Sequence, residues 1–214
     1  MARLNFIRGT LRGRVGQFVG SSWRGKEYIK TFTAPGNPRT EKQVGVRSVF
    51  AHIGHIAKAI NQTILKKYTF PKPQKHSEYN HMIKINQSMI AEKVWDATKL
   101  KIFDGSLFNP GCLAAEYVDE GGLDKYVRVV WDNSDGGDDS FIAVIVIYND
   151  STGEVIGYGE EGWTGSETIA IVGLNPPKAG EKVYAYLAFV KPPAANTAEA
   201  GQVSKTSCRQ VTGI

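Results

Sequence analysis

Basic and aromatic residues crowd into one short stretch near the start of the chain, where glycines recur every three to five positions. The residues that could do chemistry there are Arg12, Arg14, Trp23, Arg24, Lys26, Tyr28 and Lys30. Arg and Lys side chains bind anionic groups through charge-assisted hydrogen bonds, while Trp and Tyr rings stack on bases or pack against a partner. These residue types therefore predict a surface that binds an anionic partner.

The same stretch predicts a β-hairpin of residues 11–19 and 23–32, with a turn at residues 20–22. Side chains alternate along a strand, so Arg12 and Arg14 share one face of the first strand. The cations that share one face of the second strand are Arg24, Lys26 and Lys30. Like charges repel where they meet across a hairpin, so we expect a negative group or surface to lie against it.

An acidic segment, residues 132–139, lies between two predicted strands and contains Asp135, Asp138 and Asp139. Oxygen ligands around a glycine turn are typical of calcium loops, but the glutamate that ends an EF-hand loop is missing. We interpret the segment as a solvated turn that could bind a basic partner surface, with a Ca²⁺ site as the alternative.

His52 and His55 lie three residues apart on a predicted helix, but the Glu of an H-E-x-x-H zinc motif is missing. The sequence also lacks the patterns of a phosphate loop, a nucleophile elbow and a pair of catalytic carboxylates. We therefore predict no catalytic residues, no metal site and no cofactor, and expect a protein that is not an enzyme.

The charges of the chain are segregated along its length. Residues 1–101 hold 19 Lys and Arg against 5 Asp and Glu, giving +14, whereas residues 102–214 hold 7 against 16, giving −9. Such asymmetry indicates nucleic acid, an anionic surface or the protein's own acidic half as the partner. A signal-peptide core and a run of roughly 20 apolar residues are both missing, so we expect folding in the cytosol without a membrane span. Cys112 and Cys208 are then expected to be reduced.

Two helices are predicted after the hairpin. Residues 40–64 begin with a capping-box pattern, and their apolar residues recur at three- and four-residue steps. The apolar residues of 77–90 have the same helical spacing. Their apolar stripes are expected to pack together and against the hairpin or a β domain. We group residues 1–105 as a basic hairpin-and-helix assembly module.

From residue 112 the apolar pattern changes to a period of two. The predicted strands are residues 112–118, 126–131, 141–148, 154–158, 167–172, 183–190 and 203–211. Seven short strands separated by turns predict a β-sandwich of residues 110–214, which we expect to fold alone. The predicted fold class is therefore α+β, a hairpin and two helices followed by a sandwich.

Two resemblances extend this interpretation. The pattern G-x-x-x-G-x-V-G-x-x-V-G-x-x-W-x-G-x-x-x-I-K of residues 9–30 resembles the opening signature of a family of uncharacterised bacterial proteins, in which a glycine-rich hairpin precedes helices and a C-terminal β domain. Residues 127–131 and 171–190 resemble an immunoglobulin or fibronectin type III-like domain. That resemblance implies Trp131 as the core tryptophan, with Leu174, Pro176 and Tyr184 at the turn into the penultimate strand.

These observations predict a structural or assembly protein that docks through its basic module on acidic protein surfaces, including those of a neighbouring copy. A small immunoglobulin-like module joined to an assembly element is typical of phage virions and surface appendages, and we expect a homo-oligomer or a complex with other structural proteins. The alternative is a nucleic-acid-binding protein in which the basic hairpin contacts phosphates and Trp23 or Tyr28 stacks on bases.

Overall fold

The computed structural model describes residues 3–5, 10–23, 26–34, 36–37, 39–73, 75–109, 111–121, 125–131, 141–161, 167–170, 176–193 and 201–214. The chain divides into two compact units, Met1–Thr40 and Glu41–Ile214. The protein contains both helices and several separate sheets and is an α+β protein. Among the described residues, no helix is long and apolar enough to cross a membrane.

The first unit is a four-stranded antiparallel sheet in which each strand pairs with the next. Its strands are β1 (Arg3–Asn5), β2 (Thr10–Val15), β3 (Phe18–Trp23) and β4 (Lys26–Thr31).

The predicted hairpin boundaries, residues 11–19 and 23–32 with a turn at residues 20–22, are wrong. Residues 20–22 lie within β3, where Gly20 pairs with Ile29. The turn falls instead at residues 16–17, between the paired residues Val15 and Phe18. Gly16 adopts φ +57° there, a backbone conformation that glycine reaches without steric cost and that two-residue hairpin loops require.

The second unit begins with a helical layer. Its main helix, α1 (Glu41–Ala59), continues into a π-helical turn (Asn61–Leu65) and the short α2 (Lys66–Tyr68). The predicted second helix is broken at Asn86 into α3 (Glu78–Ile85) and α4 (Gln87–Glu92), and a 3₁₀ turn (Ala97–Lys99) follows. Ser77 caps α3 by accepting a hydrogen bond from the Asn80 backbone N–H at 3.3 Å.

The strands of the second unit form two separate antiparallel sheets. The smaller has the order β5-β6-β9, with strands Ala114–Asp119, Lys125–Val130 and Glu167–Ala170. The larger is built on β7 (Ile142–Asn149), β8 (Val155–Glu161) and β10 (Val183–Lys191). Its remaining strands, β11 (Gln202–Val203) and β12 (Ser207–Gln210), both pair with β10.

Two apolar cores lie on opposite faces of this five-stranded central sheet. The helix-side core joins Ile53 and Ile56 of α1 to Val146 of β7 and other buried side chains. The inter-sheet core joins Val129 and Trp131 of the small sheet region to further side chains of β7 and β10. Successive residues of β7 and β10 alternate between the two cores, so both strands are buried on both faces.

The second unit therefore has three layers, which differs from the predicted seven-stranded sandwich. The described strands form sheets of five and three strands, and helices cover the outer face of the larger one. The helical layer is needed because β7 and β10 consist of nearly continuous apolar residues and do not alternate apolar with polar residues. Strands of that composition need cover on both faces.

The division between units also differs from the predicted boundary at residues 105–110. The helices of residues 41–92 belong to the same compact unit as the two sheets, because they supply half of the helix-side core. Trp131, implied as the core tryptophan by the resemblance, is fully buried in the inter-sheet core. Tyr184 lies on the other side of the central sheet, in the helix-side core.

Candidate functional site

Three of the predicted partner-binding residues lie on one face of the N-terminal sheet. Arg14 of β2 and Lys30 of β4 flank Val19 of β3 in a single row, and Tyr28 lies two residues from Lys30 along the same strand. Because alternate residues share a face, Arg14, Tyr28 and Lys30 project together. All three are exposed, and we call them, with the adjoining Phe32, the basic face.

Arg14 is held in position from two sides. Its Nε–H donates to the Gly16 backbone carbonyl at 2.9 Å, and its guanidinium carbon lies 3.7 Å from the centroid of the Phe32 ring. A guanidinium over an aromatic ring gains a cation–π attraction. Arg14 is therefore pre-positioned, and within the described part of the chain no hydrogen bond is made by its terminal N–H groups.

The remaining predicted site residues cannot be placed at side-chain level. Arg12 and Trp23 occupy strand positions opposite Arg3 and Lys26, but the side chains of all four lie outside the described part of the chain. Arg24, Asp135, Asp138 and Asp139 lie outside the described residues altogether.

The opposite face of the same sheet is apolar and exposed. Val15, Phe18 and Ile29 lie there at 43%, 55% and 62% exposure, next to the paired glycines Gly13 and Gly20. A sheet of this size normally needs one covered face to be stable in water.

A second candidate site lies in the second unit, in a pocket of about 420 Å³ between α1 and the turn that joins β7 to β8. We call it the α1–turn pocket, and its lining residues are Ser48, Ala51, His52, His55, Tyr148, Asp150, Ser151, Thr152 and Gly153. The predicted helical face shared by His52 and His55 therefore opens onto this pocket. Among the described residues, no group of three or more His, Cys, Asp or Glu is placed to hold a metal ion.

Asp150 organises the inner wall of this pocket. Its Oδ1 accepts hydrogen bonds from Trp95 Nε1 at 2.8 Å and from the Tyr148 hydroxyl at 3.0 Å. The Trp95 ring in turn stacks on His52, with centroids 4.8 Å apart and planes 13° apart. Burial, followed by the hydrogen bond to Asp150, raises the pKa of Tyr148, so its hydroxyl stays protonated as a donor.

The two cysteines are free, and they lie on opposite sides of the central sheet. Cys112 belongs to the inter-sheet core, whereas Cys208 packs against the helix-side core. Burial raises the pKa of Cys112 to about 11 and that of Cys208 to about 12. Both thiols are therefore protonated near neutral pH, the form in which a thiol is a weak nucleophile.

Sequence reasoning singled out His52 and His55 but missed Trp95, Tyr148 and Asp150. These three are 43 or more residues away from His52 along the chain and meet it only through the packing of α1 on the central sheet. The one sequence signal is the run Tyr148-Asn149-Asp150, which places polar groups where an apolar strand ends.

Comparisons with known proteins place the chain in a family without assigning it a reaction. No curated protein and no solved structure matches it. A model described as a family of unknown function (DUF6266) matches residues 10–204, which include nearly all of the glycine-rich stretch, the helices and every strand of the second unit except β12. Because this match covers most of the 214 residues, the chain belongs to this family of unknown function.

Proposed function

We propose that this protein is a non-enzymatic assembly component whose N-terminal sheet docks on the acidic half of a neighbouring copy. The observation that carries the proposal is the N-terminal sheet itself, which presents cations on one face and apolar side chains on the other. A partner surface would cover side chains that water solvates poorly, and it would neutralise the row of cations.

Charge segregation supports a second copy as the partner. Residues 1–40 hold eight Lys and Arg and one Glu, giving +7, whereas residues 102–214 carry −9. Like-charged N-terminal units repel one another, so the favourable contact joins the basic unit of one copy to the acidic half of the next. Such a contact closes into a two-fold dimer when two copies bind each other reciprocally, and it builds a ring or a filament when it continues from copy to copy.

Nucleic-acid binding is the second candidate function, and the exposure of Tyr28 on the same face as Lys30 favours it. A ring that is 44% exposed and lies two residues from a lysine on the same strand has the composition of a base-stacking platform. The negative charge of residues 102–214 weighs against it, because that half of the molecule would repel phosphates.

Sedimentation velocity over a range of protein and salt concentrations tests the proposal. We expect wild-type protein to form oligomers that dissociate as salt increases, because screening weakens the contact between opposite charges. The double variant Arg14→Gln with Lys30→Gln should associate at least about tenfold more weakly, which corresponds to about 1.4 kcal/mol. The matched control removes two exposed lysines of the second unit, Lys58→Gln with Lys84→Gln, and should associate like wild type.

A random-sequence DNA oligonucleotide separates the two candidate functions in the same experiment. If the protein stays monomeric and binds DNA tightly, with an affinity that falls steeply as salt increases, nucleic-acid binding becomes the favoured function and the assembly proposal is wrong. The most specific version of the assembly proposal is that the protein folds in the cytosol and is then incorporated into a virion or a surface appendage. Electron microscopy of the oligomers tests this version, because it predicts rings, tubes or filaments of regular diameter.

A further inference from the structure

The α1–turn pocket presents hydrogen-bond acceptors and a negative charge, and we propose that it binds a small organic cation with N–H donors, an ammonium or a guanidinium group. This site is separate from the N-terminal sheet and does not depend on the assembly proposal. Its volume of about 420 Å³ lies within the range of small-molecule sites.

The negative charge comes from Asp150, and only one of its two carboxylate oxygens accepts hydrogen bonds from the described residues. Both hydrogen bonds from Trp95 and Tyr148 end on Oδ1, and within the described part of the chain Oδ2 accepts none. An ionised carboxylate offers about four lone-pair positions, so it can accept further donors from a ligand. Because Trp95 and Tyr148 fix its orientation, little ordering is left to occur on binding.

His55 adds an acceptor to the same wall. Its Nε2 lies 2.8 Å from the Gly153 backbone carbonyl, and a carbonyl oxygen only accepts, so Nε2 must carry the proton. In the neutral imidazole the other nitrogen, Nδ1, is then an acceptor. The hydroxyl oxygens of Ser151 and Thr152 already accept backbone N–H groups of Lys182 and Glu154, at 3.3 Å in each case.

Aromatic rings lie behind the carboxylate. His52 lines the pocket and is backed by Trp95 in a parallel stack. Tyr148 is buried, at 2% exposure, and its ring meets Trp95 edge-on with centroids 6.0 Å apart. The Asp150 carboxylate therefore carries the preference for a cation, whereas an anionic ligand would be repelled.

The turn that carries Asp150 is held by hydrogen bonds to Asn149. The Asn149 side-chain oxygen accepts the backbone N–H groups of Ser151 at 3.0 Å and of Thr152 at 3.2 Å, and its Nδ2 donates to Glu181 at 2.7 Å. The Gly153 N–H closes the turn on the Asn149 carbonyl at 2.8 Å. A metal ion is a poorer fit, because no three ligand groups of the described residues converge here.

Isothermal titration calorimetry of the full chain with agmatine, which carries both an ammonium and a guanidinium group, tests the proposal. We expect saturable binding near neutral pH that Asp150→Asn weakens at least tenfold, because the amide oxygen still accepts from Trp95 and Tyr148 while the charge is lost. The matched control Asp119→Asn, an exposed carboxylate on β5, should bind agmatine like wild type. Equal binding by Asp150→Asn and wild type would overturn the proposal, as would the lack of saturable binding.

Two further measurements keep the test independent of how Asp150→Asn folds. Imidazole NMR signals of His52 and His55 should shift on addition of agmatine to wild-type protein, and butylurea, a neutral analogue, should leave them unchanged. Equal shifts with butylurea, or shifts with zinc and none with agmatine, would overturn the proposal. Binding of a blocked arginine amide as tightly as agmatine would identify an arginine side chain of a peptide as the source of the cation, and weaker binding would identify a free amine.

Discussion

Side chains that can ionise but are held neutral recur in the second unit. Burial raises the pKa of the thiols of Cys112 and Cys208 and of the hydroxyl of Tyr186, which donates to the Ala97 carbonyl at 2.7 Å. Each group binds its proton more tightly in the folded protein than in the unfolded chain. Their contribution to the free energy of unfolding is therefore present below the unfolded pKa and is lost as pH rises through the folded value.

We predict that the protein loses stability as pH rises from about 9 toward 12, the window between the ordinary thiol pKa and the raised pKa values of Cys112 and Cys208. Urea unfolding at several pH values measures the effect. Near pH 10 the thiol of Cys112 alone should account for about 1 kcal/mol. A Cys112→Ala variant should show a shallower decline with pH than wild type, and an identical decline would show that this thiol does not contribute.

At the scale of elements, two glycines of β8 determine how closely the helical layer approaches the central sheet. A Cβ at Gly157 would lie 2.8 Å from Ile64 Cγ1, and a Cβ at Gly159 would lie 2.8 Å from the Tyr68 ring. Such distances are too short for real contacts, so the π-helical turn and α2 pack directly on strand backbone. The pattern G-x-G in a strand indicates such a close approach, although it cannot name the element that approaches.

We predict that Gly157→Ala and Gly159→Ala each lower the free energy of unfolding by about 1–3 kcal/mol, because the added methyl group must displace Ile64 or Tyr68. Chemical denaturation followed by tryptophan fluorescence provides the measurement. Gly36→Ala is the control, since a Cβ there meets no atom within 4 Å. Variants at 157 and 159 that unfold at the same denaturant concentration as Gly36→Ala would contradict this account of the packing.

At the scale of the whole molecule, the two units differ in how they are stabilised. The second unit has two apolar cores, and both depend on β7 and β10 of the central sheet. The first unit is a single sheet with apolar side chains exposed on one face. Stability therefore resides in residues 41–214, whose net charge is −2, while the first unit has a net charge of +7.

We predict that a fragment of residues 41–214 folds with a cooperative thermal transition, whereas residues 110–214 alone aggregate. The shorter fragment would expose the sheet face formed by Val144, Val146 and Tyr186, which the helices otherwise cover. Size-exclusion chromatography and thermal melts of both fragments provide the test. A monomeric fragment of residues 110–214 with a sharp melt would support the boundary that the strand pattern alone predicts.

The sequence by itself determined the positions of most elements, because local periodicity reports which residues face an apolar environment. The predicted strands at 126–131, 141–148 and 183–190 lie within about one residue of β6, β7 and β10. The last predicted strand, 203–211, is interrupted, since the Thr206 hydroxyl accepts the N–H groups of Ile102 and Phe103. The charge segregation was also readable directly from the residue order.

Tertiary structure alone decided which elements share a core and which polar groups meet. Periodicity shows that a face is apolar but does not say what covers it, so the apolar runs of β7 and β10 did not reveal the helical layer. The α1–turn pocket joins His52 to Asp150, residues 98 apart that approach only when α1 packs on the central sheet. The predicted position of the hairpin turn was wrong for a related reason. Several glycines of the stretch are compatible with a turn, and only the pairing of β2 with β3 determines that the turn lies at Gly16.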